Sequence, residues 1–148
     1  MKPTRTPLLA LCLGAALLVP AATPASAEAG LADSINNFRA ANGVHKLRVS
    51  PSLTRSATRY ARHLIRTDRF GHASRIQASG RFRALGEVLA YRPGWRKSGR
   101  YPLGMWSRSG SHRGTLLDRR FRQIGAGRAR GRFGGRLVTI WVVQVGRR

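Results

Sequence analysis

Leu137-Val138-Thr139-Ile140-Trp141-Val142-Val143-Gln144-Val145 is the stretch whose reading decides the fold. A strand with one wet face alternates apolar and polar residues, and here almost every position is apolar. The strand therefore buries both faces, which requires helices on each side of its sheet. Residues 122–130 form a second strand candidate, and the glycine-rich segment 131–135 between the two reads as a hairpin turn. Arg130-Gly131-Arg132-Phe133-Gly134-Gly135-Arg136 could be mistaken for an RNA-binding arginine-glycine segment. It occurs once, between two strands, and glycine is what a tight turn with positive φ requires, so no specific nucleic acid is expected.

Helical patterns lie upstream of this hairpin. Leu31, Ile35 and Phe38 follow i, i+4, i+7 spacing until Asn42-Gly43, giving a short helix over about 30–42. Ser50-Pro51 supplies an N-cap and a first-turn proline. From there Leu53, Ala57, Tyr60, Ala61 and Leu64 trace an apolar face over 51–67, opposite Arg55, Arg59, Arg62 and Arg66. One helical turn is expected over 74–80, a strand over 86–91 ended by Pro93-Gly94, a helix over 98–108 and a further turn over 115–117. Helices first and a doubly buried sheet late define an α+β chain, a three-layer α-β-α sandwich with a small antiparallel sheet.

Lys2 and Arg5 precede an apolar run from Leu8 to Val19, then Pro20 and Ala25-Ser26-Ala27, the order of a secretory signal peptide. The run spans about 18 Å as a helix, short of a ~30 Å hydrocarbon core, so no transmembrane anchor is expected in the mature chain. Residues 1–27 are read as the signal and 28–148 as one domain, secreted and extracellular. Of 148 residues, 28 are Lys or Arg and 5 are Asp or Glu; losing Lys2 and Arg5 takes the net charge from +23 to +21. Such a surface attracts anionic cell-envelope polymers and could hold the domain at the wall. The single Cys12 lies in the signal, which excludes a disulfide framework and cysteine-rich zinc sites.

Three titratable groups stand out from the arginine background: His72 after Phe70-Gly71, Glu87 after Gly86, and His112 within Trp106-Ser107-Arg108-Ser109-Gly110-Ser111-His112-Arg113. Two imidazoles and a carboxylate could hold a divalent metal such as zinc with one position open, or work as an acid/base set. His45 and His63 read as ordinary surface or capping residues.

These segments together resemble the CAP superfamily, or SCP domain, in its compact bacterial branch. Asn37-Phe38-Arg39-Ala40 with Gly43 and Leu47 is similar to its opening helix. Leu53, Ala57 and Ala61 running to Phe70-Gly71-His72 are similar to its second. Gly86-Glu87 with Ala90, Trp106 to Leu117, and Ile124-Gly125-Ala126-Gly127 with Trp141 and Gln144-Val145 complete the order. The resemblance implies secretion and a cleft lined by His and Glu, with His72, Glu87 and His112 as the cleft residues and metal-ligand candidates. Val88 stands where that family carries Asn, and its second cleft Glu has no counterpart. What the resemblance implies functionally is a small, lipid-like ligand or a divalent metal. The alternatives are a metal-dependent hydrolase or peptidase using the three residues, and a cationic envelope-binding protein with a vestigial cleft.

Overall fold

In the computed structural model, which describes residues 24–95 and 98–148, the decisive stretch is the inner strand β4, Arg136–Arg147. Residues 138–146 are all buried, as its lack of alternation requires. It pairs antiparallel with β3, Gln123–Phe133, and on its other side with β2, Ala84–Pro93. The turn between β3 and β4 is tighter than the sequence suggests. Phe133 pairs with Arg136, and Gly134 and Gly135 have φ of 56° and 73°, the left-handed pair of a two-residue hairpin turn. A two-residue strand β1, Arg48–Val49, runs parallel to β3, so the sheet order is β1-β3-β4-β2 and the sheet is mixed rather than purely antiparallel.

Helices cover both faces. Helix α2, Pro51–Thr67, begins at Ser50, whose hydroxyl accepts from the Leu53 amide; it buries Leu53, and Ala57, Ala61 and Leu64 pack against Val138, Ile140 and Val142. Its backbone rests on β3 at Gly125 and Gly127, where a Cβ would stand 2.1 Å from Thr54 N and 2.2 Å from Thr58 N. The opposite face packs Trp141, Val143 and Val145 under α1, Pro24–Ala41, with Leu31 and Ile35, and under α3, Arg100–Trp106, and α4, Gly110–Leu117. Pro102 lies in the first turn of α3, where its missing N–H has no intrahelical partner to lose. Trp106 is fully buried, and its indole N–H donates to Leu89 O at 2.9 Å, satisfying a carbonyl of the edge strand β2. The three-layer sandwich is thus present.

Two local expectations differ. The helical turn over 74–80 does not form; side chains of α2 supply the partners a helix would, with Arg59 donating to Gln77 O and Ser52 to Ser79 O. The turn over 115–117 is the end of α4, which begins at Gly110 and so carries His112 in its first turn. Of the expected signal, positions 1–23 lie outside the described residues. Among the described residues no helix is long and apolar enough to cross a membrane.

Candidate functional site

Glu87 and Gln144 face one another across β2 and β4, on the side of the sheet that α2 covers. Strand geometry sends Val88 the other way, into the core beneath α1 and α3, so the substitution for Asn there takes nothing from this face. Gly86, also on that opposite side, lets α4 approach: a Cβ would lie 3.1 Å from Thr115 Cγ2 and 3.0 Å from Phe121.

The Glu87 side chain is only 5 % exposed, and three groups ring its carboxylate. Oε1 lies 3.2 Å from His72 Nδ1 and accepts from the Ala73 amide at 3.0 Å; Oε2 accepts from Gln144 Nε2 at 2.8 Å. Only the amide nitrogen of Gln144 can donate to a carboxylate, which fixes the orientation of its side chain. Gln144 Oε1 is buried with no donor.

Tyr60 holds the loop that carries His72. Its hydroxyl donates to Gly71 O at 2.8 Å, and burial followed by the charge of Glu87 pushes its phenol pKa up, so it stays a donor. The face of the Tyr60 ring stacks on His63, 5.7 Å between centroids. Together these residues border a cleft of about 620 Å³ between α2 and the loop after it, lined by Tyr60, His63, His72, Arg59, Arg66 and Gln144 among others. His63, read from sequence as an ordinary surface residue, therefore borders the cleft, whereas His45 is structural: its Nε2 lies 2.9 Å from Phe121 O.

Of the three expected site residues, His72 and Glu87 touch. His112 is on α4, its Nδ1 2.9 Å from the hydroxyl of Ser109. Burial, and then the charge of His72, lower the His112 pKa. The three do not form one metal-holding group: among the described residues no cluster of three or more His, Cys, Asp or Glu side chains is placed to share an ion. The oxygens of Glu87 are already taken up by His72, Ala73 and Gln144, which suits a carboxylate that orients His72 rather than one that ligates.

A histidine with a lowered folded pKa makes stability fall with acid. Above about pH 6.5 His112 is neutral folded or unfolded; below it the unfolded chain takes a proton that the folded chain resists. The melting temperature should therefore drop as pH falls from 7.5 toward the lowered folded pKa, and His112→Gln should remove that part of the slope. An unchanged slope in the variant would assign the effect elsewhere.

A three-layer α-β-α sandwich with a buried glutamate orienting a histidine at a cleft defines an SCP-type domain. The description "Cysteine-rich secretory protein family" (CAP) matches residues 32–145, and the chain belongs to that family. Its fold is similar to an outer surface protein of Borrelia burgdorferi, at 22% identity and a TM-score of 0.64 over 80% of this chain and 90% of that one. It is also similar to an extracellular SCP-domain protein of Bacillus anthracis, at 18% identity and 0.68 over 84% of this chain, and to a cysteine-rich secretory protein of Staphylococcus aureus, at 12% and 0.61 over 87%. This chain spans 41% and 40% of those two proteins. No curated protein matches its sequence.

Proposed function

We propose that residues 28–148 are an exported CAP domain whose cleft binds a small polar ligand beside His72 and Glu87, at the cell envelope or outside the cell. The observation that carries this reading is the Glu87 carboxylate, buried and held by three partners so that it fixes His72 at the border of an open cleft. A buried carboxylate is costly to maintain unless its geometry serves something. The lining, rich in Arg, Ser, His and Gln with few apolar groups, suits a polar anion better than a lipid-like tail. Native mass spectrometry of the exported protein tests this: a co-purifying mass should be present and should be lost in His72→Ala. A bare chain that also fails to take up inorganic phosphate would refute it.

A divalent metal such as zinc is the second reading, favoured by one observation. Burial holds His112 toward the neutral imidazole that a metal requires. His72 and His112 would hold the ion, with Glu87 behind His72, and the ion would polarise a bound anion or water. Zinc titration should then show one site, weakened as pH falls because ligating imidazoles must be neutral, and lost in His112→Ala. If instead a hydrolytic activity is found and dies with His72→Ala, the hydrolase alternative gains.

Export itself is expected from the order Lys2, Arg5, apolar run and Ala25-Ser26-Ala27. N-terminal sequencing of secreted protein should begin at Glu28; a membrane-bound chain beginning at Met1 would sink the idea.

A further inference from the structure

The cleft beside His72 does not end at its own walls. A second hollow of about 440 Å³ adjoins it toward the start of α2; the two share Arg59, Arg75 and Gln77, and the Arg59 bond to Gln77 O crosses between them. Arg55 lines the second and Arg66 the first. Along α2, Arg55, Arg59 and Arg66 are separated by one and nearly two turns, about 6 Å and about 10.5 Å of rise, within one narrow stripe. Arg75 lies on the loop that forms the other wall. All four are exposed, and the ion pairs among the described residues are His72 with Glu87 and Arg120 with Asp118, so none of the four is neutralised by a carboxylate. Arg62 carries the same charge on the same helix, only about 20° around the axis from Arg55, yet it lines neither hollow.

Between the arginines the walls carry short neutral polar groups, Ser52, Ser56, Ser74 and Gln77, and beneath them Gln144 Oε1 lacks a donor. A ligand matched to this surface bears anions at intervals of several ångströms and hydroxyl donors between them. From this we propose that the two adjoining hollows together bind a phosphodiester-linked polyol polymer, its phosphates on Arg55, Arg59, Arg66 and Arg75, and that a hydroxyl at the deep end supplies the donor Gln144 lacks. Guanidinium forks suit phosphate oxygens, and a chain occupying both hollows engages several at once. The inference rests on the proposed ligand-binding cleft and names the class of ligand it takes.

The test compares single charge removals that differ only in position. With poly(glycerol phosphate) as probe and the exported protein titrated calorimetrically, Arg75→Gln should weaken binding about tenfold or more, the size of one lost charge-assisted contact. Arg55→Gln and Arg66→Gln should each weaken it several-fold, and each should lower the log–log salt slope by roughly 0.7 to 1. Arg62→Gln should change it less than about twofold, and poly-L-glutamate of equal charge should bind at least about tenfold more weakly, since it lacks hydroxyls for the neutral groups between the arginines. If Arg62→Gln matches Arg75→Gln, only the overall field attracts the polymer and the groove is refuted. Equal binding of polyglutamate refutes the phosphodiester assignment, and free glycerol 3-phosphate binding as tightly as the polymer refutes the extended groove. His72→Ala reports separately: if the co-purifying ligand survives it, the cleft reading fails while the arginine comparison still stands or falls by itself.

Discussion

Gly127→Ala should destabilise the fold by more than about 3 kcal/mol, and with Gly125→Ala added the chain should not fold at all. The added methyl at 127 would stand 2.2 Å from Thr58 N and 2.4 Å from Ala57 C, and the one at 125 would stand 2.2 Å from Leu53 C. Both obstacles are helix backbone, which has no rotamer to change, so α2 must lift from β3 as a body. Ordinary overpacking costs about 1–3 kcal/mol because side chains give way. Lifting α2 would also uncover Ala57, Ala61 and Leu64 over Ile140 and Val142 and widen the wall of the cleft. Gly104→Ala, with nothing within 4 Å, is the matched control and should be neutral or stabilising by up to about 1 kcal/mol. Urea unfolding of the variants decides the matter; a loss under about 1 kcal/mol in Gly127→Ala would mean that α2 does not sit on the sheet in this way.

The same two glycines show why some of the architecture is legible and some is not. The unbroken apolar run at 137–145 calls for cover on both faces, and the Ser50-Pro51 cap with the stripe Leu53, Ala57, Ala61, Leu64 marks α2 with its bounds. Those are local patterns. The closeness of α2 to β3 depends on Gly125 and Gly127 meeting residues some 70 positions away, and a Gly-Ala-Gly sequence does not announce its partner. Arg39 is similar: on sequence it is one arginine among many, but it is fully buried and donates to the carbonyls of His45, Leu116 and Asp118, tying α1 to the end of α4. Burial lowers its pKa, the cost of holding a guanidinium in the core. The segment 74–80 misleads for the opposite reason, since its helical composition yields to long-range bonds from Arg59 and Ser52.

In the site, the scarcity of acids singled out Glu87, and its contact with His72 follows the family order. Gln144 is hidden because it sits inside an apolar run, where a lone polar residue is the only signal. Its parity with Ile140 and Val142 places it on the α2 side, and the register then sets it opposite Glu87. Tyr60 was legible as part of an apolar face; its hydroxyl bond to Gly71 was not.

Glu87→Ala should therefore do more than remove a charge from the cleft. It takes the acceptor from the Ala73 amide, the Gln144 amide and the His72 ring at once, and each buried donor left without a partner costs about 1–3 kcal/mol. Water entering the space left by the side chain repays part of this, so a loss of about 3 kcal/mol is expected. The damage should be local as well as global. The loop from Asp68 to Gly80 keeps Tyr60 to Gly71 O and Ser52 to Ser79 O but loses its central tie to the sheet, so the Ala73 amide should exchange with solvent at least about tenfold faster. Glu87→Gln separates shape from charge. It restores one carbonyl oxygen for the Ala73 amide and the His72 ring, while its NH₂ faces Gln144, which must turn its amide to present Oε1 as the acceptor. It should recover part of the stability and little of the ligand binding, because His72 is no longer held by a carboxylate. If Glu87→Ala is as stable as the parent and the Ala73 amide stays protected, the carboxylate does not organise the loop, and His72 is set at the cleft by Tyr60 and the backbone alone.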